Sequence, residues 1–197
     1  MEKPPTVIGV SGSRREESVT RIAVREALAG VDSRGGSATF LDLRNFDLPP
    51  YNPSDSAPED AAGFTDQIRR ADAIILGTPM YHGSYSGVLK NAIDYCGFEE
   101  FENKTIGLVG VAGGRFPLSA LEHLRTVCRS LNAWVLPTQA AIPRADSNVS
   151  GGALDDEEIV SRLHTLGTRA VEYANIEPDP PMYESTENVG ARNHPTG

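Results

Sequence analysis

Residues that staple or ligate are scarce in this chain of 197: there are only 2 cysteines, Cys96 and Cys128, and 4 histidines. Both cysteines fall in helix-like segments with no export signal ahead of them, so they read as buried free thiols and not as a disulfide. His82, His123, His164 and His194 match no HExxH or Cys/His ligand spacing, and no metal site is expected. No unbroken apolar run approaches the roughly 18 residues of a spanning helix, and no basic-then-apolar leader opens the chain. The expectation is a soluble, cytoplasmic protein with no membrane partner. Lysine is nearly missing, with Lys3, Lys90 and Lys104 alone, and the 18 basic residues face 27 acids for a formal net charge of −9. That balance excludes general attraction to nucleic acid, and any anionic ligand must find a local basic site. An acidic, lysine-poor composition also fits salt adaptation, because at about 1 M salt the Debye length is only about 3 Å and crowded carboxylates repel little. The same composition fits an ordinary acidic surface.

What is present is a regular alternation of buried strands and amphipathic helices. Thr6-Val7-Ile8-Gly9-Val10-Ser11, Ser37 to Leu43, Ala73 to Thr78 and Ile106 to Val111 read as strands, three of them short apolar runs, the first ending in serine and the last opening into Gly113-Gly114. A last strand over Ala133 to Leu136 and Gln139 to Ile142 is interrupted by Pro137. Between them, Ile22 to Leu28, Glu59 to Ala71, Gly87 to Tyr95, Leu121 to Leu131 and Ile159 to Tyr173 carry apolar residues three and four apart. Strands alternating with helices predict a parallel sheet, right-handed crossovers and helices on both faces. One domain over residues 1–175 accommodates five such units. Residues 176–197, with Pro178, Pro180, Pro181 and Pro195 and too few apolar groups for a core, read as a disordered tail or an arm laid on another subunit.

Ligands of open parallel sheets bind beyond the carboxyl ends of the strands, which selects three loops. The first, Gly12-Ser13-Arg14-Arg15-Glu16-Glu17-Ser18-Val19-Thr20, combines hydroxyls, an arginine pair and a helix start, a combination suited to a phosphate monoester. It is neither GxGxxG nor a Walker loop. Ser18 also suits an N-cap. The second, Thr78 to Gly87, offers Met80 and Tyr81 as soft or flat surface for an aromatic ring. Lys90 on the following helix is expected to pair with Asp94 at i+4. The third, Ala112-Gly113-Gly114-Arg115, lets backbone amides approach a ligand edge. No Ser/His/Asp or Cys/His arrangement for nucleophilic catalysis is apparent.

These residues resemble the NAD(P)H-dependent FMN reductases of the flavodoxin-like fold, a family that includes quinone, azo-dye and chromate reductases. Gly12, Ser13, Arg15 and Ser18 match its motif G-S-x-R-x-x-S-x-N, with Thr20 in place of asparagine. Pro79, Tyr81, Ser84, Gly87, Leu89, Lys90, Asn91, Ala92, Ile93 and Asp94 match P-x-Y-N-x-S-x-P-G-x-L-K-N-A-I-D, with His82 for asparagine and Ser86 for proline. The resemblance spans about residues 6 to 173. It implies a three-layer α/β/α sandwich with a five-stranded parallel sheet of order 2-1-3-4-5. It also implies an FMN site formed by Ser13, Arg14, Arg15, Ser18, Val19 and Thr20 around the phosphate. Pro79, Met80, Tyr81, His82, Gly83 and Ser84 would lie along the isoalloxazine, and Ala112, Gly113, Gly114 and Arg115 at its pyrimidine side. The implied reaction takes hydride from NADPH or NADH and passes electrons to a small-molecule acceptor by a ping-pong cycle, with no dedicated catalytic side chain, in a homodimer or homotetramer. A non-catalytic electron carrier of the flavodoxin kind is the alternative. Arg115 or Arg44 would be placed to meet a 2′-phosphate.

Overall fold

The computed structural model describes residues 3–174 of the chain. In order, the elements are β1 (Thr6–Ser11), α1 (Val19–Ser33), β2 (Ser37–Asp42), α2 (Glu59–Arg70), β3 (Ala73–Pro79), α3 (Gly87–Asp94) and the single-turn α4 (Phe98–Phe101). They continue with β4 (Thr105–Val111), α5 (Leu118–Ser130), β5 (Trp134–Ile142), a small hairpin of β6 (Val149–Ser150) and β7 (Ala153–Leu154), and α6 (Glu157–Glu172). The five long strands form one parallel sheet in the order β2-β1-β3-β4-β5. Every residue of the central strands β3 and β4 is buried, as a strand covered on both faces requires.

Strand side chains alternate between two apolar layers. Ile8, Val10, Ile74, Leu76, Ile106 and Leu108 pack with Phe64 and Ile68 of α2, Leu89 of α3 and Leu121 and Leu124 of α5. Val7, Ile75 and Val109 point the other way, toward Ala23, Val24 and Ala27 of α1 and Leu163 and Leu166 of α6. The last strand is continuous and not split. Pro137 sits within it on the sheet edge, where its missing N–H has no ladder partner to fail, and the pairing with β4 shifts register between Ile106 and Leu108. The strand after α1 stops at Asp42, one residue short of expectation, because Leu43 opens a tight helical turn through Asn45. No helix among the described residues is long and apolar enough to cross a membrane. The expected tail, residues 176–197, lies outside the described residues.

Candidate active site

The carboxyl edge of β1, β3 and β4 carries the three loops singled out by sequence. Ser13, Arg15, Ser18, Val19 and Thr20 of the first, Pro79, Met80 and Tyr81 of the second and Gly113 of the third line one cavity of about 60 Å³, together with Val111, Ala145 and Asp146. It opens beside a larger cleft of about 540 Å³ that shares Arg15, Ser18, Val19 and Asp146. Three hydroxyl residues facing the small cavity are almost wholly buried: Ser13 and Thr20 at 2% exposure and Ser18 at 3%. The Thr20 hydroxyl makes no hydrogen bond to a described residue, whereas Ser18 Oγ accepts from Arg21 N at 3.2 Å as the N-cap of α1 and keeps its own proton to donate. The backbone amides of Val19 and Thr20 open α1 and have no intrahelical acceptor. Ser11 Oγ, at the end of β1 where the loop begins, is the single side-chain oxygen or nitrogen among the described residues that is both wholly sealed from solvent and without a partner. Buried donors at a helix N-terminus fit a phosphate monoester.

The arginines divide by function. Arg21 fastens the first loop: Nη1 donates to Glu16 O at 2.7 Å, Nη2 to Arg15 O at 2.8 Å and Nε to Asp42 Oδ2 at 2.9 Å. Arg44 closes on the same carboxylate through Nη2, at 2.8 Å from Oδ2. Burial pushes the Asp42 carboxyl up, but hydrogen bonds from the Arg44 side chain and backbone and the charges of Arg21 and Arg44 outweigh it and hold the group below the usual carboxylate range. Arg25 lies 4.0 Å over the Phe40 ring. Of the positive charge that sequence gathers around α1, only Arg14 and Arg15 are left for a ligand, and Arg15 reaches Asp146 loosely, at 3.9 Å with both side chains exposed. Arg14 does not line the small cavity. Its side chain faces a neighbouring groove with Leu43, Phe46, Leu48, Pro50, Gly87, Val88 and Asn91.

The second loop is a hairpin closed by paired hydrogen bonds between Tyr81 and Ser84, with His82 at φ 51° and Gly83 at φ 79° between them. Two successive left-handed residues favour Asn-Gly, and histidine is among the few other side chains that accept the first position. The backbone thus explains how His82 stands in for asparagine. Ser86 has φ −68°, the value a proline ring fixes, yet as serine it caps α3 by accepting from Leu89 N at 3.2 Å. Its hydroxyl donates to Gly12 O at 2.6 Å and its N–H to Thr78 Oγ1 at 2.9 Å, which ties the first and second loops together. Lys90 is paired with Asp94. Asn91 accepts from Tyr51 N at 2.9 Å and donates to Leu48 O and Pro49 O at 3.0 and 2.9 Å, so it pins the proline-rich connection. Ser84 Oγ lies 3.1 Å from His123 Nδ1 of α5.

The third loop exposes Gly113, Gly114 and Arg115, with Ala112 buried at its base. Sequence reading missed what lies behind it. Arg144 N donates to Gly114 O at 2.8 Å and Ala145 N to Ala112 O at 2.9 Å, which brings Ala145 and Asp146, from the segment after β5, into the cavity wall. That segment has no apolar periodicity; its single signal is the position just past a strand end.

The chain matches the family model described as NADPH-dependent FMN reductase over residues 5–147. It is 36% identical over 178 residues to the FMN-dependent NADPH-azoreductase of Staphylococcus haemolyticus, a match covering 86% of this chain and 95% of that one. With the enzyme of the same name from Staphylococcus aureus it shares 37% identity over 140 residues, 69% of this chain and 74% of the relative. Among solved structures, an NADH:FMN oxidoreductase superposes with TM-score 0.75 at 23% identity, covering 88% of this chain and 92% of that one. The flavoenzyme NAD(P)H:(acceptor) oxidoreductase of Paracoccus denitrificans gives 0.72 at 24% identity, over 86% and 96%. These two likenesses carry the flavodoxin-like fold alone, and the sequence matches carry the relationship: the chain belongs to the family of NADPH-dependent FMN reductases.

Proposed function

We propose that this oxidoreductase holds FMN in the cavity at the carboxyl edge of β1, β3 and β4 and transfers electrons from NAD(P)H to an azo, quinone, flavin or metal acceptor by a ping-pong cycle. The observation that carries the reading is the convergence of three nearly buried hydroxyls, Ser13, Ser18 and Thr20, with the first amides of α1. In this reading those donors hold the phosphate, and Arg15, whose partner Asp146 is 3.9 Å away, adds a mobile charge at the rim. Bound FMN supplies the two-electron chemistry between nicotinamide and acceptor. Pro79, Met80 and Tyr81 give the ring an apolar wall, and the turn at His82 and Gly83 sets the height of that wall without contributing an acid. Ala112, Gly113, Gly114 and Arg115 present amides and a cation to the side of the ring where negative charge collects, an electrostatic role. No side chain serves as a nucleophile or dedicated acid.

Exposed Tyr81, Phe116 and Leu118 stand at the mouth of the site and its adjoining helix α5. Their exposure supports a homodimer or homotetramer that covers this face, in a cytoplasmic enzyme. Light scattering in high salt tests the assembly. For the activity, purified protein is titrated with FMN and then treated anaerobically with NADPH or NADH. Quenching of flavin fluorescence followed by bleaching of the visible band is the expected result. Binding without bleaching leaves a non-catalytic carrier, and absence of binding overturns the proposal. Thr20→Val is expected to weaken FMN binding roughly tenfold or more, the effect of one hydrogen bond to a charged group.

A further inference from the structure

One cleft shares part of its wall with the proposed FMN cavity, a second groove is linked to it through Arg14 of the same loop, and the electrostatics of the two differ. The larger is walled by the carboxylates of Glu16, Glu17 and Asp146, opposed by Arg15 and by an Arg21 already engaged with Asp42. The other, about 300 Å³, has Leu43, Phe46, Leu48, Pro50 and Val88 as apolar wall and no lining carboxylate. Its polar groups are Asn91, saturated by Tyr51, Leu48 and Pro49, and Arg14, whose guanidinium has no hydrogen-bond or ion-pair partner among the described residues. Arg14 stands between Ser13 and Arg15, which face the cavity, so the backbone of one short loop presents adjacent side chains to two different depressions.

An apolar and aromatic wall ending in one free cation fits a flat ring bearing a phosphate. Resting on the function proposed above, we infer that this groove receives the 2′-phosphoadenosine end of NADPH and that Arg14 is the residue that favours NADPH over NADH. Arg44 is unavailable for that role because two of its nitrogens are closed on Asp42. Arg115 lines neither the cavity nor the groove. A dianionic 2′-phosphate placed in the larger cleft would face three carboxylates, whereas in the groove it meets an unopposed guanidinium that offers paired N–H donors.

The test is equilibrium binding of adenosine 2′,5′-bisphosphate and of 5′-AMP to the FMN-loaded protein, followed by the ratio of kcat/KM for NADPH and NADH. Wild type is expected to bind the bisphosphate roughly tenfold or more tightly than AMP, the effect of one charge-assisted phosphate contact. Arg14→Ala should abolish that difference and collapse the coenzyme ratio, Arg14→Lys should restore part of both, and Arg162→Ala, which removes an exposed charge of α6 paired with Glu158, should leave both in place. Equal binding of the two nucleotides by wild type, or a preference that survives Arg14→Ala or disappears in Arg162→Ala, overturns the assignment. FMN binding and bleaching by either nicotinamide are measured on the same samples, so a failure of the reductase reading shows as loss of those signals and not as a changed ratio.

Discussion

Asp42→Asn tests the architecture of the first loop most directly. The carboxylate is 6% exposed and accepts from Arg21 and from both the backbone and side chain of Arg44. Removing its charge leaves two guanidinium groups facing an amide. Breaking a fully buried pair costs about 3–5 kcal/mol, but the Arg21 and Arg44 side chains keep some access to water, so about 2–3 kcal/mol is expected here. For a domain of this size that corresponds to a melting temperature lower by about 5–10 °C. The pH dependence fixes the cause. The folded pKa is depressed, so the carboxylate's contribution is complete above the unfolded value, near pH 4, and disappears as pH falls through the lower folded value. Urea denaturation of both proteins at pH 7, 5 and 3 should therefore give a gap that is equal at the first two and narrower at the last, where the unfolded carboxyl is already largely protonated. A gap under about 0.5 kcal/mol at pH 7, the scatter of ordinary surface substitutions, would refute the reasoning. So would a gap that persists undiminished at pH 3.

Gly167→Ala should be among the most damaging single-methyl changes in the chain. Its Cβ would fall 1.9 Å from Ala27 O, so α1 and α6 must separate, and a loss of about 3 kcal/mol by thermal or urea unfolding is expected. Ser86→Ala removes the α3 cap and the donor to Gly12 O; about 1–2 kcal/mol of stability should be lost, with little change if the loops are held by other means. Burial pushes both thiols up, that of Cys128 to about 12 and that of Cys96 further, so at pH 8 neither should react with a disulfide reagent until guanidinium unfolds the protein. Rapid labelling of one native thiol would show that its segment opens.

The strand order came from the family resemblance and not from local pattern. The alternation of strands and helices, the two apolar layers and the three loops at the strand ends were legible because each rests on such pattern, in short apolar runs that open into polar or glycine-rich loops and in apolar residues spaced three and four apart. Lys90 with Asp94 was legible for the same reason, four residues apart on one helix. The roles of the arginines were not. Whether Arg21, Arg25 or Arg44 meets a ligand depends on Asp42 and Phe40 of β2, brought alongside only by the parallel pairing of β2 with β1. Asp146 was invisible for a different reason, since its segment enters the wall through backbone hydrogen bonds to Ala112 and Gly114 that leave no mark on residue type. The hairpin of β6 and β7, with Gly151 and Gly152 at its tip, is too short for alternation to register.

Arg21 also bears on the thermodynamics of ligand capture. By gripping the carbonyls of Arg15 and Glu16 from the first turn of α1, it sets the course of the loop in the free protein. In the proposed function, a phosphate arriving there finds the loop's course already set, and little backbone entropy remains to be lost when it docks. In that reading, affinity for the phosphate and the order of the loop have a common origin, in a side chain directed toward the loop's own backbone.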